Sequence, residues 1–305
     1  MEVSIMIEGQ QGLSWPRWQR LAQAAEDLGF YGLFRSDHFA SPQGDIEDAL
    51  ETWVSLGWLA ANTQRIAFGT LVSPISFRHP SVLAWQASSV DALACGRLRL
   101  GLGAGWQARE HEAFGFDLLD TDARFKRYEE GIQVVQGLTR STTPVSFEGE
   151  YYSLKDAMLS PRSPRADGPP LVIGGNGPKR TLPLAAKYAD EWNAVGLKPE
   201  DYRQRCEILD ELLAREGREP ASVKRTLMTR GVAAADQASL DAKMSEDDRA
   251  RISERGAIIG TPEQIVDILG RHAEAGVQGV MLQWLDMDDI SGLEIIAEKV
   301  FPQLS

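Results

Sequence analysis

Apolar and polar positions along this chain follow two periods, and the two take turns from end to end. Short apolar runs at residues 3–8, 32–37, 66–72, 97–102, 170–173, 191–195, 227–232 and 279–283 read as strands buried on both faces. Between them, apolar residues recur every three or four positions, as one face of a helix requires. Trp15, Trp18, Leu21, Ala25 and Leu28 mark such a face over 15–28, with Ser14 as N-cap and Gly29 as stop. Phe125, Tyr128, Ile132, Val135 and Leu138 mark another over 124–138. Further helices are predicted over 52–61, 80–93, 179–189, 199–215 and 290–301. Thr261-Pro262-Glu263-Gln264 opens one more, with an N-cap, a proline at the first helical position and a capping-box glutamine.

Eight strand–helix alternations predict an α/β protein with a closed parallel sheet, a (β/α)8 TIM barrel spanning 1–305 as a single domain. An open doubly wound sheet is the alternative architecture. Two insertions interrupt the repeat. Residues 145–170 begin as a hairpin around Glu148-Gly149 and continue through a proline-rich passage. Residues 236–256 are dense in charge and read as an exposed helix or loop, a solvated insertion more readily than a lid over the barrel mouth.

With 305 residues and 43% hydrophobic content the chain can bury a large core. A net charge of −12 argues against nucleic acid or an anionic membrane surface as partner. No stretch reaches the length of a membrane span. The acidic, strand-like N-terminus is not a signal peptide, and Cys95 and Cys206 fit neither a disulfide framework nor a metal site. A cytoplasmic enzyme with reduced thiols is the expectation.

Candidate chemistry sits where apolar runs end. Asp37 and His38 close the second strand, and His38 is one of only four histidines. A buried cap or a satisfied core histidine is the bland alternative. Gly101-Leu102-Gly103-Ala104-Gly105-Trp106 ends the fourth strand, where small residues allow close backbone approach but tight turning is an equal explanation. Gly174, Gly175, Asn176 and Gly177 lead through Pro178 into a helix, a pattern suited to a phosphate. His79 is read as capping the helix after it and His272 as structural. His111 has no companions at ligand spacing, so no metal is assigned. No nucleophile elbow or phosphate-loop lysine motif is present.

Together these segments resemble the luciferase-like flavin and deazaflavin oxidoreductase superfamily. The resemblance rests on Arg35-Ser36-Asp37-His38-Phe39, Phe77-Arg78-His79-Pro80, Val90-Asp91, Gly96-Arg97, Gly101 to Trp106, Glu110 to Gly115, Gly174-Gly175 and Tyr188 to Asn193. The Ser-Asp-His form is most similar to the branch that uses coenzyme F420. The resemblance implies His38 at the reactive ring edge with Asp37 beside it, and a bulge with a non-proline cis peptide near Thr70-Leu71. It implies cofactor contacts from Gly103, Ala104, Gly105, Trp106 and the 174–177 loop, and a substrate pocket that includes Glu8, Trp192 and Asn193. The predicted reaction is hydride transfer between F420 and a small organic substrate, with His38 giving or taking the proton. Trp106 stands where sugar-phosphate dehydrogenases of this branch carry an acid, and an indole cannot exchange protons at neutral pH. An apolar or flat substrate is therefore favoured. Arg162, Arg165, Lys179 and Arg180 are candidates to meet the coenzyme's acidic tail. The alternatives are an FMN-dependent monooxygenase using O2 and a separate reductase, and a flavin-binding barrel without turnover. A homodimer is a further expectation of the resemblance.

Overall fold

The computed structural model describes residues 1–304. Its first half runs β1 (Glu2–Ile7), α1 (Trp15–Asp27), β2 (Gly32–Arg35), α2 (Thr52–Asn62), β3 (Ala67–Thr70), β4 (Ser73–Pro74), α3 (Pro80–Leu93), β5 (Leu98–Gly103), α4 (Ala108–Phe114) and α5 (Thr121–Arg140). There follow β6 (Val145–Glu148), β7 (Ser153–Ala157), β8 (Leu171–Gly174), α6 (Thr181–Tyr188), β9 (Glu191–Val195), α7 (Pro199–Arg215) and β10 (Lys224–Ala233). The chain ends with α8 (Gln237–Lys243), α9 (Glu246–Ser253), β11 (Ile258–Gly260), α10 (Pro262–Glu274), β12 (Gly279–Gln283) and α11 (Ile290–Ile295). The main sheet runs β10-β12-β1-β2-β3-β5-β8-β9, and β9 pairs back to β10. That closes eight parallel strands as the predicted (β/α)8 barrel; β4 continues β3 past a break and β11 extends β10. No helix among the described residues is long and apolar enough to cross a membrane.

By internal contacts the chain divides into two compact units. One comprises Met1–Glu8, Trp15–Phe34 and the chain from Gly174 onward. In it β12 pairs with both β1 and β10, and β10 with β9, all in parallel. Trp18, Leu21 and Ala25 of α1 are buried as their spacing predicts. Inward residues of the strands form a polar layer: Asn193 Nδ2 donates to Thr226 Oγ1 at 2.9 Å, and Thr226 Oγ1 donates to Glu191 Oε1 at 2.7 Å. Outward residues face helices, as Arg225 does in pairing with Asp210 of α7. The charged insertion is neither a single helix nor a loop but two short helices. Leu240 of α8 anchors them on Val232, Ala234, Ala257 and Ile259, a contact one leucine in a polar run does not announce.

The other unit comprises Gly9–Ser14 and Arg35–Ile173. Its hairpin, β6 antiparallel to β7, lies where the sequence puts it. Tyr128, Ile132, Val135 and Leu138 of α5 are buried, and the Tyr128 hydroxyl donates to Leu102 O at 2.6 Å. Between β3 and β4 the Leu71–Val72 peptide is cis, one residue beyond the expected place. Gly101 and Gly103 of β5 lie against this break. A Cβ on Gly101 would stand 2.0 Å from Thr70 O, and one on Gly103 2.5 Å from Val72 Cγ2. These two glycines therefore serve strand-to-strand approach, which spacing alone could not separate from ligand approach.

His272, buried on α10, shows what the core asks of a titratable group. Burial pushes its pKa below the ordinary 6.5, against a smaller opposing effect of the Gly256 carbonyl. The fold thus favours the neutral ring, and stability present above about pH 6.5 is lost as pH falls, because the unfolded state binds the proton more readily. We expect His272→Gln to flatten the change in urea midpoint between about pH 7.5 and 5.5. An unchanged slope in that variant would refute the assignment.

Candidate active site

The chain just past the end of β2, where the candidate residues Asp37 and His38 stand, is held by charge. Arg35, the last residue of the strand, is fully buried. Its guanidinium donates to Ser36 O at 3.2 Å, Ser55 Oγ at 2.6 Å and Leu50 O at 2.8 Å. Burial lowers its pKa to about 10, with Asp37 and Glu51 opposing, so it is cationic at neutral pH. A Cβ on Gly9 would stand 2.2 Å from Arg35 Nη2, which leaves glycine as the residue that fits there.

Asp37 is buried and committed elsewhere than His38. Its Oδ2 accepts from Arg78 Nη1 at 2.6 Å and Ser73 Oγ at 2.6 Å, and its Oδ1 from Arg78 Nη2 at 3.2 Å. Arg78 Nη2 also reaches Glu51 Oε1 at 2.7 Å, while Glu51 Oε2 caps α2 through Val54 N. Burial pulls the Arg78 pKa down, but the charge of Asp37 and the hydrogen bonds to both carboxylates outweigh it and raise it overall. Asp37, expected as the acid beside His38, has its carboxylate bonded to Arg78 and Ser73.

The partner of His38 is Glu110. Glu110 Oε1 lies 2.7 Å from His38 Nδ1, and its Oε2 accepts from Phe39 N at 3.0 Å. The carboxylate is 1% exposed and the imidazole 14%. A carboxylate can only accept, so in this contact Nδ1 carries the proton. Glu110 comes from α4, seven residues between Gln107 and a left-handed Gly115, too short for periodicity to reveal. In the sequence it stands only within the 110–115 segment of the resemblance. Its helix is fixed by aromatic contacts: Phe39 stacks on Phe114 and Phe116 at 4.7 and 5.5 Å, with Phe77 edge-on at 4.9 Å. His111 beside it is buried, hydrogen-bonded to Gln107 O and Ser76 Oγ. His79 is the N-cap of α3 through Ser81 N, as expected.

Trp106 lies edge-to-face with His38, ring centroids 5.8 Å apart, and is 61% exposed. Thr70 is buried with its hydroxyl on Gly101 O, and Leu71 N bonds Arg35 O, tying the bulge to the end of β2. Of the predicted residues, this unit therefore brings together Asp37, His38, Thr70, Leu71, Gly103 and Trp106, with Ala104 and Gly105 linking the last two. Arg165 reaches Leu98 O, at the start of β5 rather than its end, so it is not placed to meet a ligand there. Arg162 reaches Arg140 O, at the end of α5.

In the other unit, Glu8 accepts from Gln283 Nε2 at 2.6 Å just past the end of β1. Asn193 lies in the polar layer, 0% exposed. Trp192 points the opposite way: it is in register with outward-facing Arg225, stacks on Tyr202 of α7 at 5.3 Å and donates to Gly175 O. It packs the helix layer. The 174–177 loop is largely engaged by its own protein. Asn176 pairs through its side chain with both backbone groups of Val195, and the amides of Thr181 and Leu182 bond Gly177 O. Helix α6 starts at Thr181, so Pro178 precedes it instead of sitting in its first turn.

The profile of the luciferase-like monooxygenase family matches residues 1–246. An F420-dependent glucose-6-phosphate dehydrogenase of Microbacterium testaceum (strain StLB037) is 34% identical over 197 residues, covering 64% of this chain and 57% of that protein. The chain spans about half the length of the curated relatives it matches. Among solved structures, an F420-dependent secondary alcohol dehydrogenase in complex with an F420–acetone adduct has a TM-score of 0.85 at 21% identity, over 100% of this chain and 99% of that one. The monooxygenase RslO1 from Streptomyces bottropensis also has a TM-score of 0.85, at 20% identity and full coverage of both chains. These structures share the barrel.

Because Asp37 is buried, removing its counter-charge leaves an uncompensated carboxylate. Arg78→Ala is expected to lower unfolding free energy by about 3–5 kcal/mol, and the added change Asp37→Asn to recover part of it. A loss below about 1 kcal/mol in chemical denaturation would mean the pair carries no such load.

Proposed function

The chain belongs to the luciferase-like monooxygenase family, and on that premise we propose that it is an F420-dependent oxidoreductase, moving a hydride between the deazaflavin and a small organic substrate. The observation that carries the reading is the His38–Glu110 pair at the end of a barrel strand, beside the flat, exposed face of Trp106. The residues fit a flat ring: a proton-exchanging nitrogen, a broad indole and the Leu71–Val72 backbone of the bulge lie in one unit. F420, when bound, supplies the hydride chemistry. Everything else falls to the protein.

His38 Nε2 holds or takes the proton that a carbonyl–alcohol interconversion needs. Glu110 fixes the tautomer and orientation of the ring, and stabilises the imidazolium when it forms. Asp37, Arg78 and Arg35 keep the main chain under His38 from shifting. Trp106 offers area and no acid, which disfavours a sugar phosphate and suits an apolar or planar substrate.

Two helices support a second copy of the chain as partner. Neighbouring α2 and α3 leave Val54, Val82, Trp85 and Leu93 each at least half exposed, apolar surface on helices that also bury their other faces. Helices apolar on all sides belong inside something, and we infer a homodimer through this face.

Fluorescence titration with F420 and with FMN tests the cofactor. Micromolar or tighter binding of F420 with much weaker FMN is expected; the reverse preference would move the reading to a monooxygenase fed by a reductase. In the F420 reaction, His38→Ala should lower kcat by about 10²–10⁴-fold with cofactor affinity retained. Wild-type turnover in that variant would leave a binding barrel only. Trp85→Glu is expected to convert the dimer to a monomer in light scattering, and a monomeric wild type would refute the interface.

A further inference from the structure

One half-buried cation has no part in any of this. Arg230 stands on β10 four residues beyond Thr226, whose side chain lies in the inward polar layer with Asn193. Strand side chains alternate, so Thr226, Met228 and Arg230 face inward, with Arg230 at the C-terminal end of the three. Its register neighbour is Gln283 of β12, whose own neighbour on β1 is Met6. Gln283 donates to Glu8, so Arg230 shares a layer with a polar pair at the ends of two strands.

Nη1 of Arg230 is buried with no hydrogen-bond partner, the only terminal guanidinium nitrogen so placed among the described residues. The side chain makes no ion pair there either, although Asp286 lies close enough to act on its charge. Burial pulls its pKa down with only that one opposing charge. An unpaired, partly buried guanidinium costs stability, and a packed fold rarely keeps one without a ligand to meet it. A guanidinium is a planar fork of donors that matches the oxygens of carboxylates and phosphates.

We propose that Arg230 is the seat of an oxyanion, a carboxylate or phosphate ester, borne by the molecule that enters the barrel from the C-terminal ends of its strands. The seat stands on Arg230 itself; only the choice of ligand rests on the oxidoreductase reading. Two sources are open to the same chemistry: the acidic side chain of the cofactor, or an acid group on the substrate. An acid substrate would present its flat or apolar part elsewhere and its charge here.

Arg230→Met supplies the test, because removing an unpaired charge leaves the variant able to fold. Wild type and variant are melted in rising inorganic phosphate and, separately, malonate. At least one anion is expected to raise the wild-type melting temperature, and the variant to respond to neither. Absence of any anion response in the wild type, or an equal response in the variant, overturns the proposal. F420 affinity then identifies the source. A Kd about tenfold or more weaker in the variant, with a phosphate-free deazaflavin bound equally by both proteins, assigns the seat to the cofactor. Unchanged F420 affinity together with the lost anion response assigns it to the substrate. A wild type that binds no F420 but keeps an Arg230-dependent anion response would sink the cofactor reading and leave the seat standing.

Discussion

The buried pair of Asp37 and Arg78 is the constraint on which the candidate site depends. Asp37 follows the last residue of β2 by two positions; Arg78 precedes α3 by the same margin; Ser73 begins β4; and Glu51 caps α2. One carboxylate and one guanidinium bind all four segments through bonds of 2.6–3.2 Å. Two buried charges that satisfy each other leave few alternative arrangements open, because any displacement exposes an uncompensated charge to a poor solvent. His38 follows directly in the chain, so its backbone inherits that rigidity.

From this follows a division of labour among acids that stand close in the fold. Asp37 is taken up by one guanidinium, Arg78, and one hydroxyl, Ser73, and holds these segments together. Glu110 accepts from the His38 ring nitrogen and from an amide, and so orients an imidazole. The aromatic cluster of Phe39, Phe77, Phe114 and Phe116 joins the two, since Phe39 is bonded to Glu110 through its amide and stacked on the helix that carries it. Packing and hydrogen bonding therefore set the same position twice. Arg230 is the opposite case, a charge the fold leaves unsatisfied at a cost in stability.

The alternation of strands and helices was readable because burial on both faces makes strands continuous apolar runs, while the helices between them show a three-to-four period. Asp37 and His38 were conspicuous for the same reason: polar groups ending an apolar run mark a strand end. Trp192 misled, because a tryptophan at a strand end looks like a binding surface until its alternation is set against Arg225 and Tyr202. The glycines of β5 misled in part, since room for a neighbouring strand and room for a ligand call for the same residue.

The sequence by itself determined the barrel and marked the end of β2, with its histidine, as the candidate place, because these depend on local period and residue type. Only the tertiary structure decided which acid serves that histidine. Glu110 lies 72 positions away on a helix of one and a half to two turns, and nothing local to either residue records their meeting. The same holds for Arg78 and Asp37, 41 positions apart, and for the missing partner of Arg230. Spacing reports what one element buries; which charges are paired, and which is left waiting, is settled when distant elements pack.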